Sequence, residues 1–304
     1  MVNYNGLYNK DYFGEKLTEN HFYEKNLHFR IIENGTILPF KDLPDVGFFG
    51  GLVDEENNFV EGTAIHRGFG GGAYTPKDSV EYIPSSAIYL GMLISIWGHC
   101  LTDNIKRLWF LKSDVYRRYF KNCPILYTPM WGGIIYNFAK LLEILEIDPN
   151  KLQPVTAPVK YKNVILPDES FFLAESSVTY GKDKVFIEGS TDNFNGNDGA
   201  FFTKEYVDVI DRIRNYVLKN CSSIPQKKWY FFYGRKQVGE ERIAKYFESK
   251  GYTILRPETL PIEVQLNILA NCESFASLIG SVSHNIIFLR DKSNVTLVPR
   301  RAAF

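Results

Sequence analysis

The sequence predicts an α/β protein that ends in a Rossmann-like half-sheet and carries β-rich additions at its N-terminus. Three observations predict it. Residues 229–298 alternate short apolar or aromatic strands with amphipathic helical stretches and little loop between them, which is the sequence form of a β-α-β-α-β-α-β unit. Residues 29–95 carry short apolar runs separated by turn clusters such as Asp54-Glu55-Glu56-Asn57-Asn58, a β-rich pattern. Between residues 97 and 166 helical and extended patterns alternate again, so the first half also tends toward α/β.

Taken in order, residues 1–28 are rich in Asn, Tyr and Lys without a clean period and read as an arm on the surface. Strands are predicted over 29–32, 46–53, 58–60 and 87–90. The glycine clusters at 47–51 and 68–72 read as hairpin turns or bulges, or as a close approach to a ligand. Neither is a P-loop, since no Gly-Lys-Ser/Thr follows, and neither has the GxGxxG spacing that opens a helix. The stretch 97–111, WGHCLTDNIKRLWFL, is predicted as one helix with Leu101, Ile105 and Leu108 inward and His99 and Asp103 four residues apart on another face. A strand at 124–127, a helix over 134–145 and strands around Val155 and over 164–166 follow. The Gly/Asn/Asp-rich stretch 182–199 lacks an apolar period and marks a domain junction, dividing the chain into 1–198 and 199–304. An amphipathic helix is predicted over 202–218.

The aromatic strand 229–233 opens the second sheet. Helix 241–249 places Ile243, Ala244 and Phe247 on one face, and Lys250-Gly251 stops it. Strand 252–255 leads to helix 262–270, with Ile262, Leu266 and Leu269 on one stripe. A buried strand over 275–279 ends at Gly280, the turn 281–285 feeds an apolar segment over 286–289, and a last strand covers 295–298. Ligands of open parallel sheets lie beyond the carboxyl ends of the strands. Gly234-Arg235, Arg256-Pro257-Glu258 and residues 280–285 fall at those ends.

At 304 residues, 45% hydrophobic and 15% aromatic, the chain is globular and long enough for two domains. Its 35 basic residues balance 35 acidic ones, which argues against a nucleic-acid binder. Cys100, Cys123, Cys221 and Cys272 form no CxxC pair, so they read as free thiols in a reducing compartment. The N-terminus has no apolar core and no run approaches the roughly 20 apolar residues of a membrane span. The expected location is cytoplasmic, and the sequon matches at Asn34, Asn220 and Asn294 read as chance.

Several residues are candidates for chemistry, each with a plainer alternative. His99 and Asp103 suit general acid/base work, or are a half-buried histidine and an exposed aspartate on a helix. Arg235, at the end of the aromatic strand, suits a bidentate clamp on phosphate, or a surface ion pair. Arg242 lies in the first turn of a helix, an unfavourable place for a cation without an anion nearby. Ser283, His284 and Asn285 would start a helix with Ser283 as its cap, with or without a ligand. Glu258 suits a ribose diol, or is a solvated loop residue. His66 stands without a second metal ligand at suitable spacing and reads as structural.

At these residues the chain resembles the family 61 glycosyltransferases, from about Ile88 to Val298. The family's GH…D/E segment is similar to Gly98-His99-Cys100-Leu101-Thr102-Asp103, with Arg107 following; its SR……R segment to Gly234-Arg235 and Arg242; and its PE.LS..EQ helix entry to Pro257-Glu258 through Glu263 and Gln265. Gly234 stands where the family has serine, and the HGA…TN motif is replaced by Gly280-Ser281-Val282-Ser283-His284-Asn285. The resemblance implies a GT-B arrangement of two Rossmann-like domains facing a cleft, with 1–198 on the acceptor side and 199–304 binding the nucleotide-sugar. It implies an inverting hexosyl- or pentosyltransferase of surface or capsular polysaccharide assembly, with no cofactor, no metal, and a UDP-sugar as the expected donor. Arg235, Arg242, Glu258, Gln265, Gly280, Ser281, Ser283, His284 and Asn285 would bind that donor. Asp103 would be the base, with His99 its neighbour and alternate. The acceptor would be a glycan, free or lipid-linked; in the latter case an aromatic patch such as Phe171-Phe172 or Trp109-Phe110 would touch the inner face of the membrane. The competing readings are a non-catalytic nucleotide- or glycan-binding module on the same fold and a nicotinamide-dependent oxidoreductase, the latter weakened by the missing GxGxxG.

Overall fold

The computed structural model describes residues 24, 26–43, 47–64, 70–77, 79–173, 178–181, 184–187, 200–234 and 237–300. The first sheet is built from β1 (Phe29–Glu33), β2 (Thr36–Leu43), β3 (Gly47–Val53), β4 (Gly70–Gly72), β5 (Glu81–Ile94), β6 (Ile125–Met130), β7 (Leu152–Pro154) and β8 (Val159–Pro167). Its order is β4-β3-β2-β8-β5-β6-β7, with β1 also paired to β8. Within it β8, β5, β6 and β7 run parallel, while β1, β2 and β3 join antiparallel. The β-rich start is therefore an antiparallel extension of a parallel α/β core. The first glycine cluster serves a bulge: the β2/β3 register shifts between Leu38 and Lys41, and a Cβ on Gly50 would lie 2.7 Å from Met92 Cε.

The strands of this sheet run longer than the sequence predicts at β5 and β8, and β2 is an addition. The predicted strand at 58–60 reduces to a single bridge between Val53 and Phe59. The predicted continuous helix over 97–111 is two short helices, α1 (Trp97–Cys100) and α2 (Leu108–Leu111), with turns between. The cause is local. The Asn104 side chain accepts from Ile94 N–H and donates to Ile94 O; short polar side chains compete with the helical ladder in this way. Leu101, Ile105 and Leu108 nevertheless point inward, all 1% exposed or less. Helix α3 (Tyr136–Ile144) leads from β6 towards β7.

Four short strands follow: β9 (Phe171–Leu173) pairs with β12 (Ala200–Phe202), and β10 (Val178–Gly181) with β11 (Lys184–Ile187). The last pair is a hairpin whose second strand lies inside the stretch read as lacking a period, and the proposed junction near residue 198 lies outside the described residues. Helix α4 (Lys204–Asn220) follows, and the second sheet then forms as the spacing of its apolar runs predicts: β13 (Lys228–Phe231), α5 (Glu240–Ser249), β14 (Thr253–Leu255), α6 (Ile262–Asn271), β15 (Ser274–Leu278), a 3₁₀ helix over Ser281–Phe288, and β16 (Asn294–Val298). All four strands are parallel in the order β14-β13-β15-β16. Gly239 at φ 87° and Gly251 at φ 82° bound α5, a conformation that glycine adopts without steric cost.

One apolar cluster runs through both sheets, from Ile88 and Ile105 to Phe231, Leu266 and Leu289. Helix α4 bridges them: Tyr206 Oη donates to Leu101 O and Arg214 donates to Leu289 O. Of the aromatic residues proposed as a membrane patch, Phe110 and Phe171 belong to this core, Trp109 packs against it partly buried, and the Phe172 side chain lies outside the described residues. Phe110 is 1% and Phe171 8% exposed, and Trp109 donates its indole N–H to Asp168 O. Phe110 and Phe171, which fill the interior, have no surface to offer a bilayer. Among the described residues no helix is long and apolar enough to cross a membrane.

Candidate active site

A cavity of about 280 Å³ opens at the carboxyl ends of the second sheet, where parallel strands leave their ligand crevice. Tyr233, Glu258, Gln265, Ser281 and Asn285 line it from that sheet's loops. Trp97 and Asn137 close it from the other side, at the starts of α1 and α3, so both halves of the chain contribute to one wall.

Of the described residues proposed for a donor, Glu258, Gln265, Ser281 and Asn285 line this cavity, and Arg242, Gly280, Ser283 and His284 do not. Glu258 is exposed on a 3₁₀ turn (Pro257–Thr259). Buried Gln265 holds that turn, donating Nε2 to Pro257 O and Leu260 O at 2.8 and 2.9 Å. Ser281 and Asn285 lie on the 3₁₀ helix. Gly280 stands behind: a Cβ there would sit 2.5 Å from Tyr233 Cε2, so glycine lets the Tyr233 ring approach this turn. Ser283 is not the helix cap. It sits in the third position, and its hydroxyl accepts from Gly280 N–H and donates to Gly280 O, which spends it on holding the turn. His284 faces Gly98, whose Cβ would lie 3.2 Å from His284 Cδ2. Arg242 is exposed on α5 and is not part of the cavity wall. Arg235 and His66 lie outside the described residues.

The first turn of α5 holds a residue that the sequence reading missed. Glu240, 1% exposed, accepts from Tyr233 N–H at 2.5 Å, from Gly234 N–H at 2.9 Å and from Tyr230 Oη at 3.2 Å. This side chain stands in the first turn, at the helix's positive end, and occupies the backbone donors that leave β13. That answers the electrostatic argument made for Arg242, because the acidic side chain needed at the helix start belongs to the chain itself. Burial holds the Glu240 carboxyl above the ordinary carboxylate range, with the two backbone donors and Tyr230 pulling the other way. The signal that could have found it was an acid at the first helical position after a glycine turn.

His99 and Asp103 do come together. His99 Nδ1 and Asp103 Oδ2 are 2.6 Å apart, and Thr102 Oγ1 donates to the same oxygen at 2.9 Å. Asp103 is 3% exposed, whereas the His99 side chain is 21% exposed. The carboxylate is thus the inner member of the pair and the imidazole the outer one, the reverse of the expected order. Neither lines the cavity, but Trp97, two residues before His99, does. Arg107, which follows in the motif, is buried and structural: its guanidinium donates to Pro167 O, Gly62 O and Glu169 Oε1. The thiols of Cys100 and Cys272 are pushed up to about 12 by burial, too high for a nucleophile at neutral pH.

The model of the family described as Glycosyltransferase 61 matches residues 97–296, from α1 to within β16. The chain belongs to glycosyltransferase family 61. The transferase's match begins at the cavity wall formed by Trp97 and ends beyond the turn that carries Asn285. No curated protein is similar enough to add a relative by sequence. Among solved structures the transferase is similar to the dodecameric iron-containing heptosyltransferase TibC in complex with ADP-D-beta-D-heptose, at 11% identity over 91% of this chain and 78% of that one, TM-score 0.31. TibC from enterotoxigenic E. coli H10407 matches at 12% identity with the same coverage and a TM-score of 0.30. At such values the iron, the donor and the dodecamer of TibC do not carry over to this family 61 enzyme.

Proposed function

We propose that this glycosyltransferase inverts the anomeric centre as it moves a sugar from a nucleotide-sugar, a UDP-sugar by preference, to a glycan acceptor of a surface or capsular polysaccharide. The nucleotide occupies the cavity at the carboxyl ends of the second sheet, and the acceptor approaches from the first. The parallel second sheet and the parallel core of the first, each meeting the cavity with a loop or helix start, support a GT-B reading with a donor-side unit from about residue 199 and an acceptor-side unit before it.

The His99–Asp103 pair is the observation that carries the mechanism. Asp103 accepts Nδ1–H, fixes the tautomer and stabilises the imidazolium, and Nε2 of His99 takes the proton of the acceptor hydroxyl as it attacks the anomeric carbon. The displaced nucleotide diphosphate leaves towards the 281–285 turn, and Arg235 neutralises its charge. Metal ions have no part in this scheme.

The test is incubation with a panel of nucleotide-sugars, scoring nucleotide release with and without EDTA. Release from one UDP-sugar that persists in the chelator is the expected result. Turnover that stops in EDTA and returns with Mn²⁺ or Mg²⁺ overturns metal independence, and no release or binding with any nucleotide-sugar overturns the donor assignment.

A further inference from the structure

Two buried side-chain polar atoms lack a hydrogen-bond partner among the described residues, the Ser277 hydroxyl and Asn285 Nδ2. Asn285 matters because it lines the cavity while being 1% exposed. A buried amide nitrogen without an acceptor costs roughly 1–3 kcal/mol, and native proteins seldom leave such a group unmatched unless something else completes it. Its orientation is not open. Trp97 Nε1 lies 2.8 Å from Asn285 Oδ1, and an indole nitrogen only donates. The amide oxygen must therefore face Trp97 and the amide N–H groups must face elsewhere.

We infer that Asn285 is a hydrogen-bond donor to an oxygen of the nucleotide's diphosphate, and that Trp97 is the positioning residue that aims it. The inference rests on the nucleotide-sugar reading above. Asn285 lies on the turn that leaves β15, at the carboxyl end of a parallel strand, where a phosphate is expected. A diphosphate oxygen accepts and never donates, so it matches an N–H whose partner is fixed by the Trp97 bond. Trp97 also belongs to α1, two residues before His99, and Gly98 between them packs on His284. The bond thus joins the group that would hold the leaving diphosphate to the helix that carries the proposed base.

The experiment measures the affinity of UDP and of uridine for the native protein, for Asn285→Asp and for Trp97→Phe, with melting curves to check the fold. Asn285→Asp still accepts from Trp97 but cannot donate; UDP should bind at least 10-fold more weakly and uridine within about twofold of native. Trp97→Phe keeps an aromatic wall and loses the N–H; UDP should weaken about 3- to 10-fold, again sparing uridine, with a folded melting curve. A merely structural role would lower both ligands together, so equal losses for UDP and uridine overturn the assignment. Native-like UDP affinity in folded Asn285→Asp, or in Trp97→Phe should the aspartate variant not fold, also overturns it. If the native protein binds neither UDP nor GDP, ADP or CDP, the nucleotide-sugar reading itself falls and takes this inference with it.

Discussion

His99 and Asp103 divide their work by depth. A carboxylate that is 3% exposed and shared between an imidazole and a hydroxyl is placed to hold a ring, not to meet a substrate, and on the mechanism we propose the outer imidazole takes the proton. His99→Ala should lower turnover by roughly 10²–10⁴ with UDP affinity unchanged. Asp103→Asn should cost less and displace the pH–rate profile, since the ring loses its orienting charge but keeps its nitrogen. A dead Asp103→Asn beside an active His99→Ala would return the role to the aspartate. Gly280 is the other single position where geometry decides the outcome. A methyl group there would meet the Tyr233 ring at 2.5 Å, so Gly280→Ala should cost about 1–3 kcal/mol in denaturant unfolding and displace a wall of the cavity; unchanged stability would mean that the ring has room to move.

At the level of elements, the link between β13 and α5 is a carboxylate bridge. A carboxyl whose folded pKa is raised keeps a proton that the unfolded chain has released. The stability it contributes is full below the unfolded value of about 4.3 and is lost as pH rises through the folded one. Glu240 is such a group, raised by burial, so the stability of the native protein relative to Glu240→Gln should fall as pH rises across that window, measured by chemical denaturation at each pH. A difference that grows with pH would mean that the hydrogen bonds outweigh the burial. The acid after a glycine turn marked this helix start in the sequence, but not the bridge, because a glutamate there reads as an ordinary solvated charge. The rest of the second sheet was legible, since each buried strand there is a short apolar run closed by glycine, proline or an acidic turn. The first sheet was less so: β2 contains Pro39, and β5 contains Pro84, Ser85 and Gly91, residues that interrupt a strand pattern and fall where the register shifts, between Leu38 and Lys41, Ile83 and Ser86, and Tyr89 and Met92. The i to i+4 spacing of His99 and Asp103 told that they meet, but not which lies inward, because depth is set by Tyr206 and the core beneath α1. Trp97 and Tyr233 escaped notice because an aromatic residue at an element's end looks like packing until a cavity opens beside it.

The molecule as a whole is held by a core that does not stop between the sheets. With Ile105, Ile210, Leu266 and Leu289 in one cluster and α4 bonded to both Leu101 and Leu289, neither sheet can lose its packing without exposing the other. Unfolding by urea should therefore be a single transition, with far-UV circular dichroism and tryptophan emission coincident; two resolved transitions would show that the sheets are energetically separate. Of the four tryptophans, Trp97 alone lines the cavity among the described residues, and its indole is bonded across to Asn285. Indole emission shifts with local polarity and hydrogen bonding, so the chain carries an internal optical probe at the boundary between its two sheets, and titrating the cleft requires no attached dye.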